Sequence, residues 1–383
     1  TYEVVERLAS DGMEIVPLDR ASLLAAARDV GRAGVEAVAV CLLFSYLDSR
    51  HEREVGRLLA RHGPEGLYVS LSAAVAPEFR EYERASTTVV NAFVGPTVAR
   101  YLRDLEAGLR PRRLWIMGSH AGTLAAAEAA RLPVATVLSG PAAGVTGAVA
   151  VGRRCGHERL LTLDMGGTST DVALCAGAAP FAPAITVAGL LVHRPAVDVH
   201  TVGAGGGSYV RIDEGGALRV GPESAGAVPG PASYGRGGRR PTVTDANVVL
   251  GRLPADRPLA GGLRLDGRAA REALAPIALR LGLDVERTAL GVLAVVNAAM
   301  ERALRRVSVE RGHDPRQHVL VAFGGAGPVH ACALADLLGI AEVLVPIAPG
   351  ALSALGLAVA PPATTVSRSV LRARGVAVDI EQC

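Results

Sequence analysis

The stretch RLLTLDMGGTSTDVALC, Arg159 to Cys175, decides the fold. Leu160 to Leu163 form a short apolar run that ends at Asp164; two glycines and three hydroxyl residues follow, and Asp171 opens a second strand through Leu174. The pattern predicts a β-hairpin whose tip carries chemistry. Gly166 and Gly167 can take positive φ and bring backbone N–H groups close to an anion, while Thr168, Ser169 and Thr170 add hydroxyl donors around the same point. A polyphosphate suits such a tip. Asp164, at the end of the first strand, is then placed to hold Mg²⁺ through water, because Mg²⁺ prefers one or two carboxylates plus phosphate oxygens. Asp164 and Asp171 are the candidate catalytic pair, since two aspartates bracketing GGTST are more than a turn requires.

Competing phosphate loops fall away on composition. A Walker loop needs GxxxxGK[ST], and the chain has no lysine, so every cationic side chain except histidine is arginine. The second glycine cluster, Gly203 to Ser208 (GAGGGS), puts serine where the dinucleotide fingerprint needs its last glycine. Gly203, Gly205 and Gly206 are nonetheless expected close to a ligand.

The length of 383 residues predicts about two domains, and a net charge of +3 without a basic run implies no nucleic acid partner. Five cysteines without CxxC spacing predict reduced, mostly buried thiols in a cytoplasmic protein. Two uncharged runs, Pro133 to Gly152 and Val343 to Ser367, carry too much internal Pro, Gly, Ser and Thr for membrane spans, so no membrane partner is expected. The start, TYEVVERLASDGM, resembles mid-domain sequence, which raises the expectation of a fragment.

Before the hairpin, helices are expected over Ala21 to Arg32 and His51 to His62, and strands over Ala37 to Phe44, Leu67 to Leu71 and Arg112 to Met117, an alternation that means a largely parallel sheet. A long helical stretch beginning near Glu83 and Arg84 should be interrupted at Gly95-Pro96. Ser139 to Gly152 and Pro349 to Ala360 place small residues at nearly every helical contact position, so each predicts a helix that crosses another backbone closely. The two look like an internal pseudo-repeat, the signature of a two-lobed fold with a nucleotide between lobes.

After the hairpin, Asp198 and His200 stand two apart and would share one face of a strand, as a metal or proton-transfer pair. Gly221 to Gly238 is too rich in Gly and Pro for regular structure, and Asp245 is expected to cap the helix that follows. Thr288 to Arg311 reads as a long amphipathic helix. The strand Val319 to Phe323, the turn holding Gly324, Gly325 and Gly327, and a helix to Leu338 make a backbone platform for an adenine and ribose.

These motifs together resemble the hydantoinase A, 5-oxoprolinase and acetone carboxylase β-subunit family. The matching stretches include REYERASTTVVNAFVGP, LSGPAAGVTGA, LDMGGTSTDVAL, VDVHTVGAGGGS, TVTDANVVLGRL, RRVSVERGHDP and VAFGGAGPVHACALA, in order over nearly the whole chain. The resemblance implies an α/β, two-lobed actin-like ATPase fold (a duplicated ribonuclease-H-like unit) with ATP and Mg²⁺ in the cleft. It assigns Asp164 to Asp171 to the second phosphate loop and Phe323 to Pro328 to the adenosine loop. Expected domains are the rest of lobe I at 1–140, a connecting helix at 141–156, lobe II at 157–348, and a second connecting helix with a truncated tail at 349–383. Glu83, Arg84 and Asp245 become candidates for substrate contact or coupling, and Asp198 with His200 for an additional divalent metal.

The family's first phosphate loop, similar to DxGGTFTD, has no counterpart here, nor does its C-terminal region, which predicts a chain that begins inside lobe I and turns over ATP poorly alone. Ala227-Val228-Pro229 lacks the family's acidic residue, which argues against a metal role for that loop, and His120-Ala121-Gly122 departs as well. The expected activity is ATP-dependent opening of a cyclic amide, hydantoin or 5-oxoproline, after phosphorylation of the amide oxygen, in an oligomer with a hydantoinase B-type partner subunit. An acetone carboxylase-type reaction and an inactive nucleotide-binding fragment are the alternatives.

Overall fold

In the second half of the chain, strands form where apolar runs are continuous rather than alternating. Val319–Phe323 is buried at every position, and in Arg159–Met165 the residues Leu160, Leu161, Leu163 and Met165 are all buried, as expected of strands covered on both faces. The computed structural model describes residues 1–110, 112–367 and 369, the side chain of Ala260 excepted, and divides them into two compact units. The first holds Thr1–Ser139, Phe181–Ala196 and the described residues after Ala360; the second holds Gly140–Pro180 and Val197–Ala360.

The second unit is built on a five-stranded sheet in the order His200–Val202, Thr170–Ala176, Arg159–Met165, Val319–Phe323, Val343–Leu344. The first three strands run antiparallel to their neighbours, and the last two continue parallel to Arg159–Met165. Helix Val285–Val307 presents Leu293, Val296, Met300, Leu304 and Val307 to this core at helical spacing. It ends earlier than expected, with Val309–Arg311 as a separate 3₁₀ turn.

Two helices of this unit, Ser139–Arg154 and Leu352–Val359, cross backbone to backbone. A side-chain carbon on Gly147 would come 2.6 Å from the Leu352 carbonyl, and one on Gly356 would overlap the Ala143 carbonyl. Glycine is therefore required at the crossing.

In the first unit, Ala37–Val40 pairs parallel with Tyr68–Leu71. The strand expected to reach Phe44 stops at Val40, because the Leu42 N–H is captured by Glu52 at 2.9 Å and Phe44 turns the chain at φ 58°. Helix Glu81–Leu109 runs through Pro96 rather than breaking there. Arg84, Asn91, Gly95 and Leu102 are buried along it, with Gly95 against the Tyr68 ring, so packing on both sides of the proline outweighs one missing hydrogen bond. Residues 181–196 interrupt the sequence range expected for lobe II. Ser86 Oγ donates to the Leu191 carbonyl at 2.7 Å, His193 N–H to Thr87 Oγ1 at 2.8 Å, and Arg194 to the Val75 carbonyl at 2.6 Å, which ties the excursion to the first unit.

Part of the region expected to be irregular, Gly221 to Gly238, is ordered: Leu218–Ser224 pairs antiparallel with Ser208–Ile212. Of four described cysteines only Cys175 is buried; Cys41 and Cys155 lie just beyond a strand and a helix, where chain ends meet solvent, so the expectation of mostly buried thiols fails. Cys383 and the rest of the expected tail, 370–383, lie outside the described residues, and among the described residues no helix is long and apolar enough to cross a membrane.

The N-terminal hairpin, Arg7–Leu8 with Glu14–Val16, is held by a buried histidine. His51 Nδ1 lies 2.7 Å from Glu6 Oε2 and its Nε2 2.8 Å from Glu14 Oε2. Burial alone would lower the His51 pKa, but hydrogen bonds to the two carboxylates raise it above 6.5. A raised folded value stabilises below the unfolded pKa and is lost as pH rises through the folded one. Amide exchange over residues 7–16, corrected for its intrinsic rate, should therefore accelerate as pH rises beyond neutrality, and His51→Gln should abolish that dependence.

Candidate functional site

Register builds the hairpin tip. Asp164 lies directly opposite Asp171 and Met165 opposite Thr170, and residues 166–169 close the turn with the Gly166 N–H donating to the Ser169 carbonyl at 3.0 Å. The Asp164 carboxylate is wedged among glycines: a methyl group on Gly144 would come 3.2 Å from its Oδ2, and one on Gly324 would overlap its Oδ1. Burial first, then the facing Asp171, push its carboxyl up to about 6. Asp171 is also raised, by burial, against the opposing effects of the Thr201 hydroxyl that donates to it and of His200.

Two further glycine turns pack on this tip. The Gly206 N–H donates to the Gly166 carbonyl at 3.0 Å and the Gly207 N–H to the Gly167 carbonyl at 2.7 Å. A side-chain carbon on Gly205 would come 2.7 Å from the Gly167 backbone. Since peptides are planar and trans, these bonds turn the N–H groups of Gly167 and Thr168 away from the 203–208 loop, as donors for an anion. On the other side the Ala326 N–H donates to the Met165 carbonyl at 2.9 Å, Gly324 turns at φ +78°, and Gly327 begins the helix Gly327–Leu338. Gly166, Gly167, Gly206, Gly207 and Gly325 all line one cavity of about 140 Å³, closed by Tyr234, Leu253, Leu259 and Val329.

Several residues singled out in sequence do other work. Thr170 is buried and donates to the Ala204 carbonyl at 2.5 Å, while Thr168 is exposed and Ser169 half-buried at the tip. Gly203 packs on Pro222. Asp198 precedes the strand His200–Val202 rather than sharing it with His200, and its carboxylate pairs with the Arg311 guanidinium, which satisfies it without a metal. His200 is held below its ordinary pKa by burial and then by Arg306 and Arg311. Among the described residues no group of three or more His, Cys, Asp or Glu side chains is placed to hold a metal.

Asp245 is not the helix cap, which is Thr242, but the third residue of a capping box. Its buried carboxylate accepts from the backbone N–H groups of Ala232, Ser233 and Thr242 and from the Thr242 hydroxyl, so it fixes the 231–234 turn and has no capacity left for substrate. Arg84 is fully buried, donating to Ser45, Ser72 and the Leu42 carbonyl, with Glu52 at 3.8 Å. Glu52 accepts from the same two hydroxyls and from the Leu42 and Ala73 N–H groups. Glu83 pairs with Arg80 at 3.4 Å.

The sequence profile described as hydantoinase/oxoprolinase matches residues 84–366, and that of the hydantoinase/oxoprolinase N-terminal region matches residues 1–63. The chain belongs to the hydantoinase/oxoprolinase family. The caprolactamase α subunit of Pseudomonas jessenii is 38% identical over 91% of this chain and 51% of its own length, and the crystal structure of that ATP-dependent caprolactamase superposes with a TM-score of 0.75 at 36% identity, over 92% of this chain and 52% of the other. A 5-oxoprolinase of Arabidopsis thaliana is 36% identical over 93% of this chain and 30% of its own. A nucleotide-free acetone carboxylase structure gives a TM-score of 0.83 at 33% identity, over 93% of this chain and 51% of the other. The chain thus spans about half the length of the caprolactamase subunit and of the carboxylase chain it matches.

Sequence reading missed Thr201, which bonds Asp171, and Tyr234 and Asn247, which line the cavity. The available signal for Asn247 was a polar residue amid the apolar positions of Val243–Val249.

Two predictions follow from these environments. Because the folded Asp164 pKa is raised, the folded state binds the extra proton, and stability falls as pH rises from about 4 to about 6. In chelator and without nucleotide, Asp164→Asn should stabilise the chain above pH 6, by roughly 3 kcal/mol at most for a two-unit rise, and the gain should vanish towards pH 4 in thermal melts. In the first unit, Arg84→Met or Glu52→Gln alone should cost about 3–5 kcal/mol in urea unfolding, with the double variant losing much less than the sum.

Proposed function

We propose that this chain is the nucleotide-binding part of an ATP-dependent enzyme that opens a cyclic amide by phosphorylating the amide oxygen before water attacks. The observation that carries this reading is the convergence of three glycine turns on one cavity beside the desolvated pair Asp164 and Asp171. The strand order of the second unit, three antiparallel strands followed by two parallel ones, supports the actin-like architecture for that lobe.

The residues suit the group they would hold. Side-chain carbons on Gly205, Gly206 and Gly207 would all fall within 3 Å of other protein atoms, so the loop keeps its backbone as the ligand-facing surface. Asp164 and Asp171 would hold Mg²⁺, which supplies neutralisation of phosphate oxygens in phosphoryl transfer. The N–H groups of Gly167 and Thr168 and the hydroxyls of Thr168 and Ser169 bind and orient the phosphates. Thr201 fixes the orientation of the Asp171 carboxylate, and His200, neutral at physiological pH, is able to take a proton at a ring nitrogen.

A lactam or 5-oxoproline substrate is favoured by the 36–38% identity to proteins named for those substrates. The second reading, carboxylation of a ketone through a phosphorylated enol, is favoured by the higher TM-score to acetone carboxylase. A subunit of B-type, as partner, belongs to either reading, since relatives are named as subunits.

Phosphate release from Mg-ATP is the test, run with caprolactam, 5-oxoproline or hydantoin and, separately, with acetone plus bicarbonate, each with a B-type partner subunit present. Release stimulated by a cyclic amide is expected, and Asp164→Asn should reduce it by at least about a hundredfold, the scale of losing a main electrostatic element. Stimulation by the ketone alone would establish the second reading, and wild-type turnover in the folded Asp164→Asn protein would overturn the assignment of this site.

A further inference from the structure

One residue lining the cavity between the glycine turns carries a buried polar atom that has no partner among the described residues. Asn247, 3% exposed on helix Val243–Val249, lines that cavity. Its Nδ2 donates to the Val243 carbonyl at 3.1 Å and lies 3.4 Å from His330 Nε2, while its Oδ1 has no hydrogen-bond partner.

The neighbours fix which way this amide faces. The Val243 carbonyl, 3.1 Å away, can only accept, so it holds the Asn247 NH₂ on its side, and with Asn297 Oδ1 2.7 Å from His330 Nδ1 the matching tautomer carries its proton on Nδ1. Burial, then Arg252, hold His330 down to about 4, so at neutral pH its Nε2 is a bare lone pair. A lone pair accepts from the Asn247 NH₂ and repels its carbonyl oxygen, so an amide flip would place two acceptors together. Asn247 Oδ1 is thereby committed to the remaining direction as an acceptor, and a buried acceptor without a donor is costly. A ligand that brings a donor recovers that cost.

The walls define the ligand. Leu253, Leu259, Val329 and Tyr234 line the cavity together with Gly166, Gly167, Gly206, Gly207 and Gly325, so apolar side chains and bare glycine backbone share one slot. The volume of about 140 Å³ is well below the roughly 300 Å³ of a whole drug-sized ligand site, so the slot takes part of a nucleotide, a flat ring with a polar edge. We propose that Asn247 Oδ1 selects the base of the nucleotide by accepting from the exocyclic amino group of a 6-aminopurine, with His330 and Asn297 as positioning residues. A 6-oxopurine presents an acceptor at the same place and is rejected. The inference rests on the nucleotide reading of the glycine turns.

Calorimetry with the full chain and the magnesium salts of ATP, inosine triphosphate and purine riboside triphosphate tests it. The three differ at position 6, which carries amino, oxo or hydrogen, and the 6-oxopurine also carries a proton on N1; the unsubstituted purine keeps the N1 lone pair of adenine and isolates the amino group. ATP should bind at least about tenfold more tightly than either, the scale of one buried hydrogen bond. Asn247→Ala should bring the ATP-to-inosine triphosphate ratio to about one, and His330→Leu should shift it the same way by lowering ATP affinity and raising inosine triphosphate affinity, whereas general loosening of the site would lower both. Should either variant fail to fold, the three-ligand comparison on the wild-type chain decides alone. Equal affinity for all three overturns the role of Asn247 and leaves the phosphate site standing; binding of none overturns the nucleotide reading and this inference with it.

Discussion

Two carboxylates facing each other across one rung of a hairpin, both desolvated, set the conditions for everything around them. Asp164 and Asp171 are fixed opposite by the pairing of Arg159–Met165 with Thr170–Ala176, and burial raises both. No cation contributes at Asp164, where the only influences are burial and the facing aspartate. Such a pair is at rest only when partly protonated or when it surrounds a cation. Gly144 and Gly324 touch the Asp164 carboxylate, and any side chain there would displace it.

The same demand for bare backbone explains the glycine distribution of the second unit. The 203–208 loop does not approach a ligand as an independent strand of glycines; it stacks on the hairpin tip through paired N–H to carbonyl bonds at 166–206 and 167–207. Close stacking excludes Cβ atoms from the 203–208 layer, at Gly205, Gly206 and Gly207. The Phe323-to-Gly327 turn closes the stack from the other side by the bond from Ala326 to Met165. Glycine in the 203–208 loop is thus a packing requirement, whereas at Gly166 and Gly167 no Cβ clash demands it.

What was legible in the sequence follows from how local the cause is. The hairpin and the strand Val319–Phe323 fall where their apolar runs place them, because burial of a strand depends on the strand's own residues. The roles of Arg84, Asp245 and Asp198 were not legible, because each is decided by partners distant in sequence. Asp245 is saturated by donors at 232, 233 and 242, Arg84 is engaged by Ser45, Ser72 and Leu42, and Asp198 pairs with Arg311. A charged residue shows its type in a sequence and not whether its charge is already spent. Asn247 is the converse case: a neutral residue that composition passes over, made informative by one atom left without a partner.

The absence of lysine ties these features together. A point charge that could follow a phosphate on a flexible stem is missing from the whole chain, and Arg311, which approaches the hairpin side of the second unit, is bound to Asp198. Under the proposed nucleotide reading, the negative charge of a polyphosphate would be met by the fixed backbone N–H groups of Gly167 and Thr168 and by a divalent ion held by Asp164 and Asp171. Fixed donors need no reorganisation when charge moves during phosphoryl transfer, whereas a mobile ammonium does. The cost is carried by the apo state, in which the two carboxylates have no counter-charge. Under that reading, destabilisation of the empty site and dependence on a bound cation would be two consequences of one arrangement, and a substitution that relieves the first would remove the second.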